Sequence, residues 1–164
     1  MRYGDAFDRL GQLRGNTQQL VKAFNTTDQH EPASLLKKIL MAFELRWKLE
    51  ELVLMPALQD TQGAMLCGTH DAARELVALR DLATLARRDA SNPQGQRTLL
   101  GAIDALAALR TQRVSLALTR AERAAVVDTR ALGVEMDRLL ERLPDGVRNR
   151  HAGHADCHAG PVAA

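Results

Sequence analysis

Apolar residues recur at steps of three and four through most of the chain, which is the period of amphipathic α-helices. The pattern predicts five helices, over residues 4–24, 32–58, 63–88, 93–127 and 128–143. Long helices with short connections predict an all-α, up-down four-helix bundle with an additional short C-terminal helix. The apolar face of that last helix either covers one end of the bundle or seals a dimer.

Local signals place the helix ends. Asn92 is a candidate N-cap with Pro93 as the first helical residue, and Asp128 is a candidate N-cap of the last helix. Pro56 lies inside the last turn of the second helix, where it predicts a kink or an end. The inner side of the third helix is predicted to carry His70, Ala73, Leu76, Val77 and Leu85.

Composition places the chain among globular proteins. It is 46% hydrophobic and 26% charged, and residues 1–143 form the predicted bundle while residues 144–164 form a predicted flexible, histidine-containing tail. Only 3% of residues are aromatic and the net charge is +2, so neither nucleic acid nor an anionic membrane is favoured as a partner. The two cysteines make no disulfide framework, and the first residues lack the apolar core of a secretory signal, which together predict a cytoplasmic protein.

The stretch "ELRWKLEELVLMPAL" places a carboxylate in an unusual setting. Glu50 lies in an apolar helical run, on the side predicted to be buried, and Arg46 lies one turn before it. A carboxylate that faces a helical core needs a metal, a proton or a cation beside it.

Four stretches carry a resemblance to a known family. The run "LRWKLEELVLMPAL" resembles the second helix of the hemerythrin-like (HHE cation-binding) proteins, which has a His, a Glu four residues later and then a Pro. Glu50 and Pro56 match, and the family histidine falls on Arg46. "THDAARELVAL" resembles the third helix, with His70 as its histidine. "LTRAERAAVVD" and "NTQQLVKAF" match the fourth and first helices by register, with Glu122 at the family glutamate of the fourth.

The resemblance implies a hemerythrin-like fold with a degenerate metal site. In metal-loaded members of the family, His and carboxylate side chains from four helices hold two iron ions. Of those positions this chain keeps Glu50, His70 and Glu122, and the other family histidines fall on Thr17, Arg46 and Leu118. One His and two Glu do not fill two coordination spheres, and an arginine puts a fixed positive charge where a cation would lie.

Three interpretations of the core carboxylates follow. The favoured one is an internal ion-pair cluster in which the guanidinium of Arg46 neutralises Glu50 and Glu122, because its planar fork can bond two carboxylates. The second is a residual metal site formed by Glu50, His70 and Glu122. In the third, Arg46 extends to solvent and the site is wet.

The C-terminal stretch "HAGHADCH" places four metal-binding side chains within eight residues. Imidazole and thiolate donors at this spacing can form a specific site for Zn²⁺, Ni²⁺ or copper ions. The alternative is a low-complexity tail that binds such ions only adventitiously. The candidate ligands are His151, His154, Cys157 and His158.

Three functions are therefore expected from the sequence. The first is a non-enzymatic cytoplasmic regulatory or interaction protein without a cofactor, whose partner is an unknown protein or a second copy of the chain. The alternative is an iron-binding hemerythrin-like protein that senses or binds O2, NO or a redox signal through Glu50, His70 and Glu122. In the third, the tail is the metal-binding element and the bundle is its carrier.

Overall fold

The computed structural model describes residues 4–26, 32–59, 69–88 and 92–143, and excludes the side chains of residues 32 and 69–73. Within these ranges the regular structure is entirely helical, and none of the helices combines the length and apolar composition needed to cross a membrane. The predicted start of the third helix and the predicted tail lie outside them. The elements are α1 (Ala6–Thr26), α2 (Pro32–Leu49), a π-helical segment (Glu50–Leu54), α3 (Met55–Gln59), α4 (Thr69–Arg88), α5 (Pro93–Arg123) and α6 (Thr129–Arg142).

The predicted starts of the last two helices, α5 and α6, are confirmed. The Asn92 side chain accepts a hydrogen bond from the backbone N–H of Gly95 at 2.9 Å, and Pro93 is the first residue of α5. The Asp128 carboxylate accepts from two backbone N–H groups in the first turn of α6. Each side chain thereby satisfies donors that have no partner inside the helix, which fixes where the helix begins.

The predicted end of α5 is wrong, because the helix stops at Arg123 rather than at residue 127. Ala125 has a positive φ of 55°, and the N–H of Val126 donates to the carbonyl of Ala121 at 3.1 Å. This six-to-one hydrogen bond around a left-handed residue is the Schellman ending of a helix. The position usually holds glycine, so the sequence carried no visible stop signal here.

The helix does not end at Pro56, since the helix that begins with α2 continues through the π segment and α3 to Gln59, and Pro56 lies in this last described turn. At the junction, the N–H of Met55 donates to the carbonyl of Glu50, five residues earlier. Proline has no N–H to offer the carbonyl four residues before it. The wider π turn directly before Pro56 is where the helix departs from the α pattern.

The π segment keeps one line of side chains pointing into the core. Arg46, Glu50, Leu54 and Leu58 are all buried and follow one another at steps of four. On a regular α-helix twelve residues would drift by about 120° around the axis. A π turn takes in one extra residue, which removes about 100° of that drift. The segment therefore sets the orientation of Glu50 relative to the apolar residues that follow it.

The buried apolar residues form two clusters, one toward each end of the helices. The first cluster is Phe24, Leu36, Ile39, Leu40, Phe43, Trp47, Leu76, Leu79, Ala83, Ala86, Leu100, Ile103 and Ala107. The second cluster is Ala6, Leu10, Leu13, Leu45, Leu49, Leu54, Leu58, Val114, Leu118, Ala121 and Met136. Apolar burial in these clusters is the main stabilising term of the fold.

Helix α6 closes the end of the molecule that contains the second cluster. It packs against α1 and the π segment, and Met136 is fully buried there. Gly133 allows the approach, because a Cβ at that position would lie 2.3 Å from the carbonyl oxygen of Gly4. Arg9 and Asp137 add an ion pair at 2.7 Å. Of the two roles left open for this helix, covering one end is the one observed.

The inner side predicted for α4 is partly wrong. Leu76 is buried, but Val77 and Leu85 are 57% and 50% exposed. The buried residues of α4 instead continue through Leu79 and Ala83, at steps of three and four from Leu76. Val77 lies one residue off this stripe, which turns it by about 100° toward solvent. The two earlier residues of that prediction have side chains outside the described part of the chain.

Candidate functional site

A layer of buried polar side chains separates the two apolar clusters. On α5, Arg110 lies between Ala107 of the first cluster and Val114 of the second. On α1, Thr17 lies between Leu13 of the second cluster and Phe24 of the first. On the helix that begins with α2, Arg46 and Glu50 likewise lie between members of the two clusters. The layer consists of Thr17, Arg46, Glu50, Arg110 and Thr111.

Glu50 lies at the centre of this layer, between two arginines. Its Oε1 accepts a hydrogen bond from Nε of Arg46 at 3.1 Å, and its Oε2 accepts from Nε of Arg110 at 2.6 Å. All three side chains are at least 96% buried. Charge-assisted hydrogen bonds of this kind are about twice as strong as neutral ones. They offset the high cost of moving a carboxylate and two guanidinium groups out of water.

The ion-pair cluster around Glu50 continues from Arg110 toward the surface. Nη1 of Arg110 lies 4.0 Å from Oε2 of Glu75 on α4, and the other oxygen of Glu75 accepts from Arg113 at the rim. Two buried guanidinium groups are thus matched by the carboxylates of Glu50 and Glu75, while the charge of Arg113 faces solvent. The arrangement neutralises the buried charges with side chains of the protein itself, and it connects the helix carrying Glu50 with α5 and α4.

Thr17 and Leu118, two of the positions where the family resemblance would place histidines, serve the packing. The hydroxyl of Thr17 donates to the carbonyl of Leu13 at 2.8 Å within its own helix. Leu118 is fully buried among the apolar residues of the second cluster. Neither side chain is bonded to Glu50.

The predicted place of Glu122 in the ion-pair cluster is wrong. Glu122 is exposed near the end of α5, and its carboxylate accepts a hydrogen bond from the hydroxyl of Thr129 at 2.8 Å. It lies twelve residues beyond Arg110, which is about 18 Å along the helix axis. The error came from matching α5 to the family motif by register alone. The residue of α5 that reaches Glu50 is Arg110.

The described residues do not fit an iron site. Both oxygens of Glu50 are engaged by guanidinium groups, and a cation placed beside them would be repelled by Arg46 and Arg110. Glu122, the second expected carboxylate ligand, lies elsewhere. Among the residues described, no three His, Cys, Asp or Glu side chains converge in a group that could hold a metal ion.

The remaining candidate ligands fall outside the description. The backbone of His70 belongs to the first turn of α4, but its side chain is outside the described part of the structure. The tail ligands His151, His154, Cys157 and His158 lie beyond residue 143, where the description ends. The predicted metal-binding role of these five residues stays a prediction.

Arg110 and Glu75 are the site residues that the sequence analysis missed. A signal for Arg110 was present, because it falls on the stripe formed by Ile103, Ala107 and Val114, where every other member is buried and apolar. An arginine on such a stripe indicates a buried partner of opposite charge. The interpretation in which Arg46 extends to solvent is wrong, since that residue is 3% exposed.

Other ion pairs lie at the surface and contribute less. Glu51, next to Glu50, pairs with Arg80 of α4 at 2.7 Å, and Glu44 of α2 pairs with Arg87. These side chains are between 40% and 48% exposed, and exposed pairs typically contribute less than about 1 kcal/mol. Glu51 therefore offers a matched surface counterpart to Glu50.

The buried cluster suits a structural role better than a catalytic one. A general acid or base needs an oxygen that can reach a substrate, and each oxygen of Glu50 already accepts from a guanidinium group in the interior.

No family model, no curated protein and no solved structure matches this chain.

Proposed function

We propose that this chain is a non-enzymatic regulatory or interaction protein built on a hemerythrin-like, up-down helical bundle. In this proposal the ion pairs of Glu50 with Arg46 and Arg110 replace the metal centre that the resemblance implies. The observation that carries it is the pairing of each Glu50 oxygen with a different guanidinium group. Arginine does permanently, and without a cofactor, what a bound cation would do for a buried carboxylate.

The order in which each helix contributes buried residues to the two clusters supports the up-down architecture. Along α1 the buried residues pass from the second cluster to the first, and along α2 to α3 they pass from the first to the second. The buried residues of α4 lie in the first cluster, and α5 runs from the first to the second. Helices α1 and α2 thus run in opposite directions, and α5 runs in the direction of α2, as the second and fourth helices of an up-down bundle do.

Metal analysis of the full chain tests the proposal. Four tail substitutions, His151→Ala, His154→Ala, Cys157→Ser and His158→Ala, remove the donors that would otherwise bind metal outside the core. Iron and zinc are then titrated anaerobically and followed by calorimetry and elemental analysis. We expect no stoichiometric uptake by the core and no rise in melting temperature, because a cation beside two arginines is repelled.

Two further variants make the result decisive. Glu50→Gln keeps the volume of the side chain and removes its charge, and Glu51→Gln is the matched change at the exposed neighbour. Uptake of one or two metal ions that is lost with Glu50→Gln and kept with Glu51→Gln would overturn the proposal. Equal absence of uptake in both variants and in the parent chain supports it.

A further inference from the structure

The outer side of α5 carries a continuous uncharged stripe. Its members recur at alternating steps of four and three residues, and each lies two residues after a buried position, about 200° around the helix. We call this stripe the α5 outer face, and it consists of Thr98, Ala102, Ala105, Leu109, Gln112 and Leu116, all exposed.

The α5 outer face is more apolar than a solvated helix surface. Leu109 and Leu116 are 54% and 51% exposed and lie two helical turns apart. The outer side of a helix in a globular protein usually carries charged residues. Ala102 and Ala105 continue the stripe with small side chains, which allow another helix to approach closely.

The rim of this face is basic. Arg113 lies four residues after Leu109, and Arg120 lies four residues after Leu116, so each is a surface neighbour of its leucine. On α5 itself no acidic residue lies three or four positions from either leucine. Arg113 donates to Glu75 of α4, but its side chain is 64% exposed and so remains within reach of a partner. The nearest acidic side chain beyond Arg120 is Glu122, and its carboxylate already accepts from Thr129.

The same sign of charge extends over the exposed surface of α4 and α5. Within residues 74–88 and 93–123 there are eight exposed arginines and four acidic residues. Glu51 and Glu44 of the neighbouring helix pair with two of these arginines, which leaves an excess of two positive charges on this side. The arginines are Arg74, Arg80, Arg87, Arg88, Arg97, Arg113, Arg120 and Arg123, and the acidic residues are Glu75, Asp81, Asp104 and Glu122. A partner with acidic flanks gains favourable long-range attraction toward this side of the molecule.

We infer that the α5 outer face docks an amphipathic helix of a partner protein, with apolar residues facing Leu109 and Leu116 and Asp or Glu residues facing Arg113 and Arg120. This inference rests on the proposed role as an interaction protein and names the chemistry of its partner. An uncharged stripe about five turns long, with exposed leucines and charged edges, is the kind of surface that a helix of matching pattern recognises.

Other occupants fit the face less well. A single-stranded nucleic acid is bound by cations along the centre of the surface and by aromatic side chains on which bases stack, whereas the centre of this face is uncharged and carries no aromatic residue. A membrane-binding face inserts large side chains, whereas Ala102 and Ala105 offer little depth. A second copy of the chain would bring two basic rims together, which is unfavourable.

A labelled synthetic helix tests the inference on the full-length chain. The probe is about three heptads long, with Leu at the two core positions and Glu at the two flanking positions of each heptad. A second peptide carries Lys in place of Glu. Binding is followed by fluorescence anisotropy at low and at physiological salt. We expect saturable binding of the acidic peptide, weakened by salt, and at least about tenfold weaker binding of the basic one.

Variants locate the binding surface. We expect Leu109→Glu with Leu116→Glu to weaken binding of the acidic peptide at least about tenfold, and Arg113→Glu with Arg120→Glu to weaken it several-fold. Leu52→Glu, at an equally exposed leucine of the π segment, is the matched control and should leave binding unchanged. Circular dichroism checks that each variant remains folded. Equal binding of the two peptides, or binding insensitive to the Leu109 and Leu116 changes, overturns the inference.

Three further measurements address the other occupants. Sedimentation equilibrium detects a dimer, flotation with phosphatidylserine vesicles detects membrane binding, and a mobility shift with a single-stranded oligonucleotide detects nucleic-acid binding. Any of these activities, if abolished by the Leu109 and Leu116 changes, assigns the face to that occupant and overturns the inference.

Metal analysis of the same preparations distinguishes failure of this inference from failure of the proposed function. Metal bound in the core overturns only the replacement of the metal centre, and absence of peptide binding overturns only the docking surface.

Discussion

Arg110 on α5 donates a hydrogen bond from Nε to Oε2 of Glu50 at 2.6 Å, although sixty residues separate them along the chain. The contact lies between two apolar clusters, where leucine or alanine contacts alone would tolerate a shift of one helix along the other. A hydrogen-bonded ion pair has a fixed geometry, so it specifies the level at which α5 packs against the helix carrying Glu50.

Breaking this pair should destabilise the protein strongly. Arg110→Met removes the guanidinium but keeps most of the side-chain volume, and it leaves the Glu50 carboxylate with one partner in the interior. We expect a loss of about 3–5 kcal/mol in the free energy of unfolding. Urea denaturation followed by circular dichroism measures it. The control is Arg113→Met at the exposed rim, where we expect less than about 1 kcal/mol.

Replacing the whole cluster should restore much of that loss. In the triple variant Arg46→Met, Glu50→Leu and Arg110→Met the buried carboxylate is removed together with its partners, and Glu75 keeps its pair with Arg113. The stability of this variant should therefore lie well above that of Arg110→Met alone. Two results would contradict the stabilising role of the buried ion-pair cluster. One is that Arg110→Met lowers the free energy of unfolding no more than Arg113→Met does. The other is that the triple variant loses as much as the sum of its single changes.

The helix starts were predictable because their signals are local. A side chain such as Asn92 or Asp128 bonds to backbone groups two or three residues away, and the pattern is visible in the sequence. The end of α5 was not predictable in the same way, because Ala125 adopts a conformation that glycine usually provides. The inner side of α4 was misassigned because Val77 and Leu85 are apolar yet face solvent.

The contacts of the site were likewise predictable where they are local and not where they join distant parts of the chain. Arg46 and Glu50 lie four residues apart on one helix, and that spacing alone brings their side chains together. Which residue of α5 lies opposite Glu50 depends on how far two helices slide along each other, and periodicity does not contain that information. Family register selected Glu122, whereas the packing of the two clusters selects Arg110.

Deleting Leu52 should be tolerated by the fold. Leu52 is exposed within the π segment, and its loss would let that turn become a regular α turn. Eleven steps of about 100° then still align Arg46 with Leu58 to within about 20°. We expect a cooperative thermal transition close to that of the parent chain, measured by circular dichroism.

The comparison is deletion of Leu109, an equally exposed leucine of α5. There the helix has no extra residue to absorb the change, so one half of α5 rotates by about 100° and its buried residues leave the core. That variant should lose its cooperative transition. Equal damage from the two deletions would contradict the role assigned to the π segment.

Gly133→Ala should weaken the docking of α6. The added Cβ would lie 2.3 Å from the carbonyl oxygen of Gly4, so the start of α1 and α6 must move apart. Steric overlap of this kind typically costs about 1–3 kcal/mol, which urea denaturation resolves. Gly11→Ala, on the exposed side of α1 with nothing within 4 Å of the new Cβ, should instead stabilise by about 0.5–1 kcal/mol. A stabilising Gly133→Ala would mean that α6 does not pack this closely.

Replacing alanine with glycine at two adjacent positions after the end of α5 should change the stability in opposite directions. Ala125 has φ 55°, a left-handed conformation that costs an L-residue about 1–2 kcal/mol, whereas glycine adopts it freely. After the greater flexibility of glycine in the unfolded chain is subtracted, Ala125→Gly should stabilise by up to about 1 kcal/mol. Ala124, with φ −79° and ψ 0°, has a right-handed conformation that an L-residue adopts without strain, so Ala124→Gly should destabilise by about 0.5–1 kcal/mol through the greater flexibility of glycine. Thermal unfolding of the two variants under identical conditions gives the comparison, and melting temperatures that shift in the same direction would contradict the Schellman ending of the helix.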